Sequence, residues 1–161
     1  MDFLAEIAPG TAADWFSDEL ATAASGASVA EGQVAMVERT APEGFMPPLL
    51  TRSEAETYRV LDGQVVFFVG NDMVWAEAGD VVVAPAGAAR TFRIGSTGAR
   101  WLVLTRVRSL DRFIDFGRAV SMPIGSPGAG WPSRDEHASV ASLAAVNGIE
   151  LLGPPGALPS G

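Results

Sequence analysis

The chain has 161 residues, 48% of them hydrophobic, and a formal net charge of -8, which suits one domain with a real core and is too little for two of ordinary size. Eleven arginines scattered among nineteen acids exclude the basic stripe that a nucleic-acid partner requires, and the lack of cysteine and lysine excludes disulfides, thiolate ligands, a Cys nucleophile and lysine Schiff-base chemistry. The start MDFLAEIAPG has no basic, apolar presequence pattern and no run nears the roughly 18 apolar residues of a membrane span, so the expectation is a soluble cytoplasmic protein with no membrane partner.

In chain order, residues 1–9 are mostly apolar and end at Pro9-Gly10, reading as an extended arm for a sheet edge. Thr11 is placed to cap a short amphipathic helix carrying Trp15, Phe16 and Leu20. Ser25 to Ser28 breaks it, and 33–39 reads as a first strand. Strands are then predicted near 45–52, 56–61, 64–69, 72–77, 80–84, 90–95 and 100–108, with turn signals at Asp62-Gly63, Gly70-Asn71, Gly79-Asp80 and Pro85-Ala86-Gly87. Connections this short leave no room for crossover helices, so the sheet is antiparallel and the fold an all-β barrel or jelly roll with added helices.

Beyond Arg108 the pattern becomes helical. Ser109 is placed to cap a helix carrying Leu110, Phe113 and Ile114, and Pro123 to Pro132 is a Pro/Gly-rich linker with Trp131 as its anchor. Ser133 and Glu136 form a capping-box pattern before a stripe of Val140, Leu143, Ala144 and Val146, which Asn147-Gly148 stops. Ile149 to Leu152 is a short apolar segment, and the tail from Pro154 is expected to fray. The expected organisation is an arm and helix over 1–32, a barrel over 33–108 and a helical extension over 109–161.

Strand alternation selects the inward side chains. Arg90 shares a face with Phe92 and Ile94, against Thr91 and Arg93; Glu56 shares one with Tyr58 and Val60, against Thr57, Arg59 and Leu61. A buried carboxylate and a buried guanidinium each cost several kcal/mol in desolvation if left alone, so Glu56 and Arg90 are expected to pair with each other or with a ligand. Arginine stays protonated and suits bidentate anion binding, which makes Arg90 an electrostatic stabiliser rather than a base. Tyr58, the one tyrosine, is a candidate donor on the Glu56 face. Met46, Phe67 or Phe68, Trp75, Phe92 and Trp101 would supply an aromatic interior, while His137, the one histidine, reads as surface beside acids. No Gly-rich phosphate cradle or Ser/His/Asp set can be assembled.

The stretch from Gly44 to Ile94 resembles the cupin superfamily. Pro47-Pro48, Glu56, Leu61-Asp62-Gly63, Gly79-Asp80, Pro85-x-Gly87 and Thr91-Phe92 fall where that family's two motifs place such residues, and the C-terminal part is similar to single-domain bacterial cupins, some of them quercetinase-like. The resemblance implies a cupin barrel in which the first motif's histidine pair is replaced by Leu49 and Thr51, or in the other register by Leu50 and Arg52, and the second motif's histidine by Arg90. Only Glu56 of four implied ligands remains, so no metal, no cofactor and no metal-dependent dioxygenase activity are expected. The family's pairing of barrels implies a homodimer. The site expected on these grounds comprises Leu49, Thr51, Glu56, Tyr58, Arg90 and Phe92, with Glu56, Arg90 and Tyr58 as the catalytic candidates. Three functions fit it: a metal-free cupin that binds a small, mainly apolar molecule with an anionic or carbonyl group, as carrier, sensor or accessory protein; a metal-independent isomerase, cyclase or epimerase with Glu56 as base and Arg90 holding negative charge; or a structural barrel without a ligand.

Overall fold

The computed structural model describes residues 34–106, 108, 109, 112, 115, 116 and 134–160. The expected arm over 1–9, the helix from Thr11, the linker with Trp131, the Ser133 cap, and Leu110, Phe113 and Ile114 lie outside the described residues. Seven strands and one complete helix are described: β1 (Ala35–Ala41), β2 (Leu49–Arg52), β3 (Glu56–Val69), β4 (Asp72–Glu77), β5 (Val81–Ala84), β6 (Arg90–Thr105), α1 (Arg134–Val146) and β7 (Ile149–Gly153). Residues 108, 109, 112, 115 and 116 are also helical. Every strand pairing is antiparallel, as the short connections require.

The sheet runs β4-β3-β6-β2-β7, with β1 added on β6 and β5 added on β3. The long strands β3 and β6 carry both halves of the barrel. The first part of β3, from Glu56 to Arg59, pairs with β5, and its second, from Gln64 to Val69, with β4, while β6 runs alongside both. Asp62-Gly63 is therefore not the hairpin that its composition suggests. It bends one continuous strand, and the ladder to β6 shifts register on either side of it. Predicted strands 56–61 and 64–69 merge in β3, and 90–95 and 100–108 merge in β6, because in each case both halves run the same way along a shared partner. Gly63 is required there: its φ is 77°, and a Cβ would collide with the Gly98 carbonyl oxygen and the Ala99 Cα. Gly70-Asn71 is a true two-residue turn, since Val69 and Asp72 pair directly across it.

Alternation puts Ala35, Val37, Val60, Val65, Phe67, Ala76, Val82, Ala84, Ile94, Trp101 and Val103 in the core. Ring contacts run without a break from Tyr58 to Phe67 (centroids 4.9 Å, stacked), Phe67 to Phe92 (6.1 Å), and Phe92 to Trp101 (5.2 Å, edge-on). Phe67, not Phe68, faces inward, and Trp75 is 61% exposed on the outer face of β4 rather than part of the wall.

The C-terminal segment closes the edge of the sheet. Ile149 to Gly153, expected only as an apolar segment, is a strand that pairs with β2. Val140 and Ala144 of α1 pack into the core, whereas Val146 is 75% exposed and outside the expected stripe. The helix ends at Asn147-Gly148, where Asn147 Nδ2 donates to the Leu143 carbonyl and Gly148 takes a φ of 70°. Beyond β7, Ala157 N donates to the Pro154 carbonyl, and Leu158 and Pro159 line a groove with Phe68, Asn71 and Met73 of the β3–β4 hairpin. Among the described residues, no helix is long and apolar enough to cross a membrane.

Candidate functional site

Leu50 lies directly opposite Arg90 between β2 and β6, and residues opposite one another in an antiparallel pair project to the same face. That register orients β2. Leu50 and Arg52 face the interior with Arg90, and Thr51 faces the other side, opposite exposed Glu150; Leu49 is buried opposite Gly153, across a register shift between Leu49 and Leu50. Of the residues expected to line the cavity, Thr51 is thus turned away, and its neighbour Arg52 is turned in. A one-residue slip exchanges the faces of a strand, and two adjacent leucines give no alternation that could have fixed it.

The inward polar side chains meet at Glu56. Arg90 Nη1 lies 3.3 Å from Glu56 Oε1, and Arg52 Nη1 lies 3.2 Å from the same oxygen, with all three side chains buried. Both of these contacts fall on the same carboxylate oxygen, Oε1. The rest of each guanidinium is braced by carbonyls. Arg90 donates from Nε to Ala88 O (3.2 Å) and from Nη2 to Pro85 O (2.5 Å), which ties the β5–β6 turn to the barrel. Arg52 Nη2 donates to the carbonyl (2.8 Å) and to the hydroxyl (2.9 Å) of Ser109. Ser109 lies within the helical residues, and its hydroxyl accepts from Arg52, which the sequence reading as a cap did not foresee.

Tyr58 follows Glu56 on the same face of β3 and is buried against Phe67. Burial pushes its phenol far above the ordinary range; the negative charge of Glu56 adds to this, while Arg90 and Arg52 pull the other way. At neutral pH Tyr58 is a hydroxyl, able to donate and unsuited to act as a base. Thr91 is buried too, but it points away from Arg90 and donates to the Pro47 carbonyl (2.9 Å). Phe92 is inward as expected, and His137 sits half-buried on α1.

Sequence reasoning left one inward arginine open and missed another. Arg52 was one member of an open pair of registers. Arg39 was passed over, although Ala35, Val37, Arg39 and Ala41 alternate on one face of β1, and that alternation was the available signal. Arg39 is paired in register with Trp101, and its guanidinium carbon lies 5.3 Å from the Trp101 ring and 5.6 Å from the Phe92 ring. The interior wall therefore carries Arg39, Arg52 and Arg90 together with the carboxylate of Glu56, in a chain whose overall charge is negative.

A metal does not suit this set. One carboxylate stands between two fixed cations, and among the described residues no three His, Asp or Glu side chains converge. A divalent ion would meet repulsion from both guanidinium groups with one anionic ligand to offset it.

An antiparallel barrel whose two halves share their long central strands, with its polar cluster turned inward, is a double-stranded β-helix. Residues 36–105, somewhat less than half of the chain, match the family model described as the cupin domain. No curated protein matches the chain in sequence. Similar solved structures include the DMSP lyase DddQ from Ruegeria pomeroyi DSS-3, at 26% identity over 47% of this chain and 39% of the lyase (TM-score 0.45), so the chain spans well under half of that protein's length. Others are TT1209 from Thermus thermophilus, at 25% identity over 48% of this chain and 76% of that one (TM-score 0.44), and an RmlC-like cupin from Shewanella frigidimarina NCIMB 400, at 14% identity over 48% and 68% (TM-score 0.45).

Proposed function

We propose that this cupin domain takes a small, mainly apolar molecule with an anionic or carbonyl group into its barrel and holds that group at Arg52 and Arg90. One observation carries the reading: two buried guanidinium groups converge on a single carboxylate oxygen, and so bring two forks of N–H donors to one point of the interior, where a bound oxyanion would be met from both sides. The carbonyls of Pro85, Ala88 and Ser109 hold both arginines in place before any ligand arrives, which lowers the ordering cost of binding. Tyr58 and the adjoining rings of Phe67 and Phe92 supply a hydroxyl donor and an apolar wall.

The test compares benzoate with benzyl alcohol, its neutral counterpart of similar shape, by ligand-induced thermal stabilisation and calorimetry. Benzoate should stabilise the protein and the alcohol should not. Glu56→Gln removes the competing carboxylate and should strengthen the response to benzoate. Equal responses to the acid and the alcohol, or none to either, would defeat the proposal.

A catalytic reading starts from the same cluster, in which Glu56 would take a proton while Arg52 and Arg90, both within 3.3 Å of its Oε1, hold the developing charge. The same variant separates the two: Glu56→Gln keeps ligand binding in a carrier, whereas in an isomerase or cyclase it abolishes turnover and leaves binding.

A further inference from the structure

The outer face of the half-barrel built from β5, β3, β6 and β1 is largely apolar and exposed. Register fixes its rows, because residues opposite one another across an antiparallel ladder project to the same side. Val83 lies opposite Thr57, Thr57 opposite Leu104, and Leu104 opposite Met36; in the next row Val81, Arg59, Leu102 and Glu38 follow one another across the same four strands. Val81 and Val83 are 58% and 56% exposed, Met36 is 39% exposed, and Val34, just before β1, is 49% exposed, while Leu102 and Leu104 are half-buried between them. A contiguous apolar face of this kind marks a surface that another element covers. Arg59 stands within it, exposed and with no carboxylate partner among the described residues.

Residues 1–33 lead into Val34 at the edge of this face, so the part of the chain outside the described residues enters at the patch itself. That segment carries six acidic residues and no basic one, a charge opposite to that of Arg59. The helix expected from Thr11 presents Phe16 and Leu20 four residues apart with Trp15 beside them, whereas helical spacing puts Asp14 and Asp18 on the opposite side and Glu19 at the flank of the apolar stripe. The dimensions agree. Fourteen residues from Thr11 to Ala24 make a helix of about 21 Å, four strands span about 15 Å, and the nine residues from Ser25 to Gln33 reach up to about 30 Å.

We infer that residues 11–24 dock as an amphipathic helix on this outer face, with Trp15, Phe16 and Leu20 against Val81, Val83, Leu102, Leu104 and Met36, and with Glu19 beside Arg59. The occupant is the same chain rather than a second copy, since a short tether holds the helix at an effective concentration on the order of millimolar, which a separate molecule does not match in dilute solution. Thr57 and Arg59 alternate with Glu56 and Tyr58 on β3, so the docked helix braces from outside the strand that carries the inward cluster.

The experiment uses the full chain, in which introduced cysteines are unique because the native sequence has none. Ser17→Cys is combined with Val83→Cys, or for comparison with Trp75→Cys on the outer face of β4, and each protein is treated with a short bis-maleimide. The first pair should link within one chain at least about tenfold faster than the second, at a rate independent of protein concentration. Chymotrypsin cleavage after Trp15 and Phe16 gives a second readout without cysteines: Val83→Asp should speed it about tenfold or more, because cleavage follows the population of the undocked segment. Val83→Thr, which keeps the strand-favouring branch, should act in the same direction and serves if the aspartate variant folds poorly. A link between two chains would make the occupant a second copy and overturn the proposal. Equal linking rates for the two pairs, or cleavage that ignores both Val83 variants, would overturn it too, by showing that this segment does not cover the face.

Discussion

Arg90 and Glu56 meet through one oxygen, and that oxygen is shared: Oε1 lies 3.3 Å from Arg90 Nη1 and 3.2 Å from Arg52 Nη1. The pair foreseen from strand alternation is thus the centre of a triad. Sharing ranks the energetic consequences of breaking it.

Removing Glu56 takes the shared carboxylate from two buried cations, whereas removing Arg90 leaves Oε1 with Arg52. Glu56→Ala should therefore cost more than Arg90→Ala, which itself should cost about 3 to 5 kcal/mol if the pair behaves as a typical buried one. Urea unfolding of the two single variants gives the order. An Arg90→Ala protein as stable as the wild type would show that the guanidinium faces water instead. Exchanging Glu56 and Arg90 together for leucine should not restore stability, because Arg52 still loses its ion pair with Glu56.

Tyr58 offers a pH test with a single reporter, since the chain has one tyrosine. Its folded pKa is raised by burial above the unfolded value near 10. The sign follows: below about pH 10 the phenol is neutral in both states and its contribution is complete, and as pH rises further the unfolded chain ionises while the folded one does not, so stability falls. Absorbance titration should show no tyrosinate in the folded protein through the ordinary phenol range, and Tyr58→Phe should flatten the alkaline fall in stability.

Phe67 and Trp75 separate interior from exterior on adjoining strands. Phe67→Ala removes a buried ring from the middle of the aromatic row and should cost about 3 to 5 kcal/mol. Trp75→Ala, at an exposed ring of greater volume, should change stability by less than about 1 kcal/mol. Thermal unfolding midpoints compare them directly.

Gly63→Ala tests the bend in β3. The added methyl meets the Gly98 carbonyl and the Ala99 Cα at a left-handed φ, and both obstacles are backbone that cannot rotate away. It should destabilise the fold more than Gly70→Ala, where a Cβ meets nothing within 4 Å. Equal losses in urea unfolding would place the cost in backbone strain alone.

The amino-acid sequence by itself determined the class of fold and most of the inward face. Period-two alternation and short turns require antiparallel strands, and they place Glu56, Tyr58, Arg90 and Phe92 inside because a polar side chain on an apolar face has nowhere else to point. It did not determine which half of β2 faces in, since Leu49-Leu50 reads equally in either register and only the pairing of Leu50 with Arg90 selects one. Nor could it show that Asp62-Gly63 bends a strand rather than ending it, because a local Asp-Gly signal is the same in both and the partner strand decides. The triad on Glu56 Oε1 and the stacking of Arg39 on Trp101 are long-range contacts between strands distant in sequence. Composition constrains such contacts only through the rule that buried charges find partners, and the closure of the barrel decides which partners are within reach.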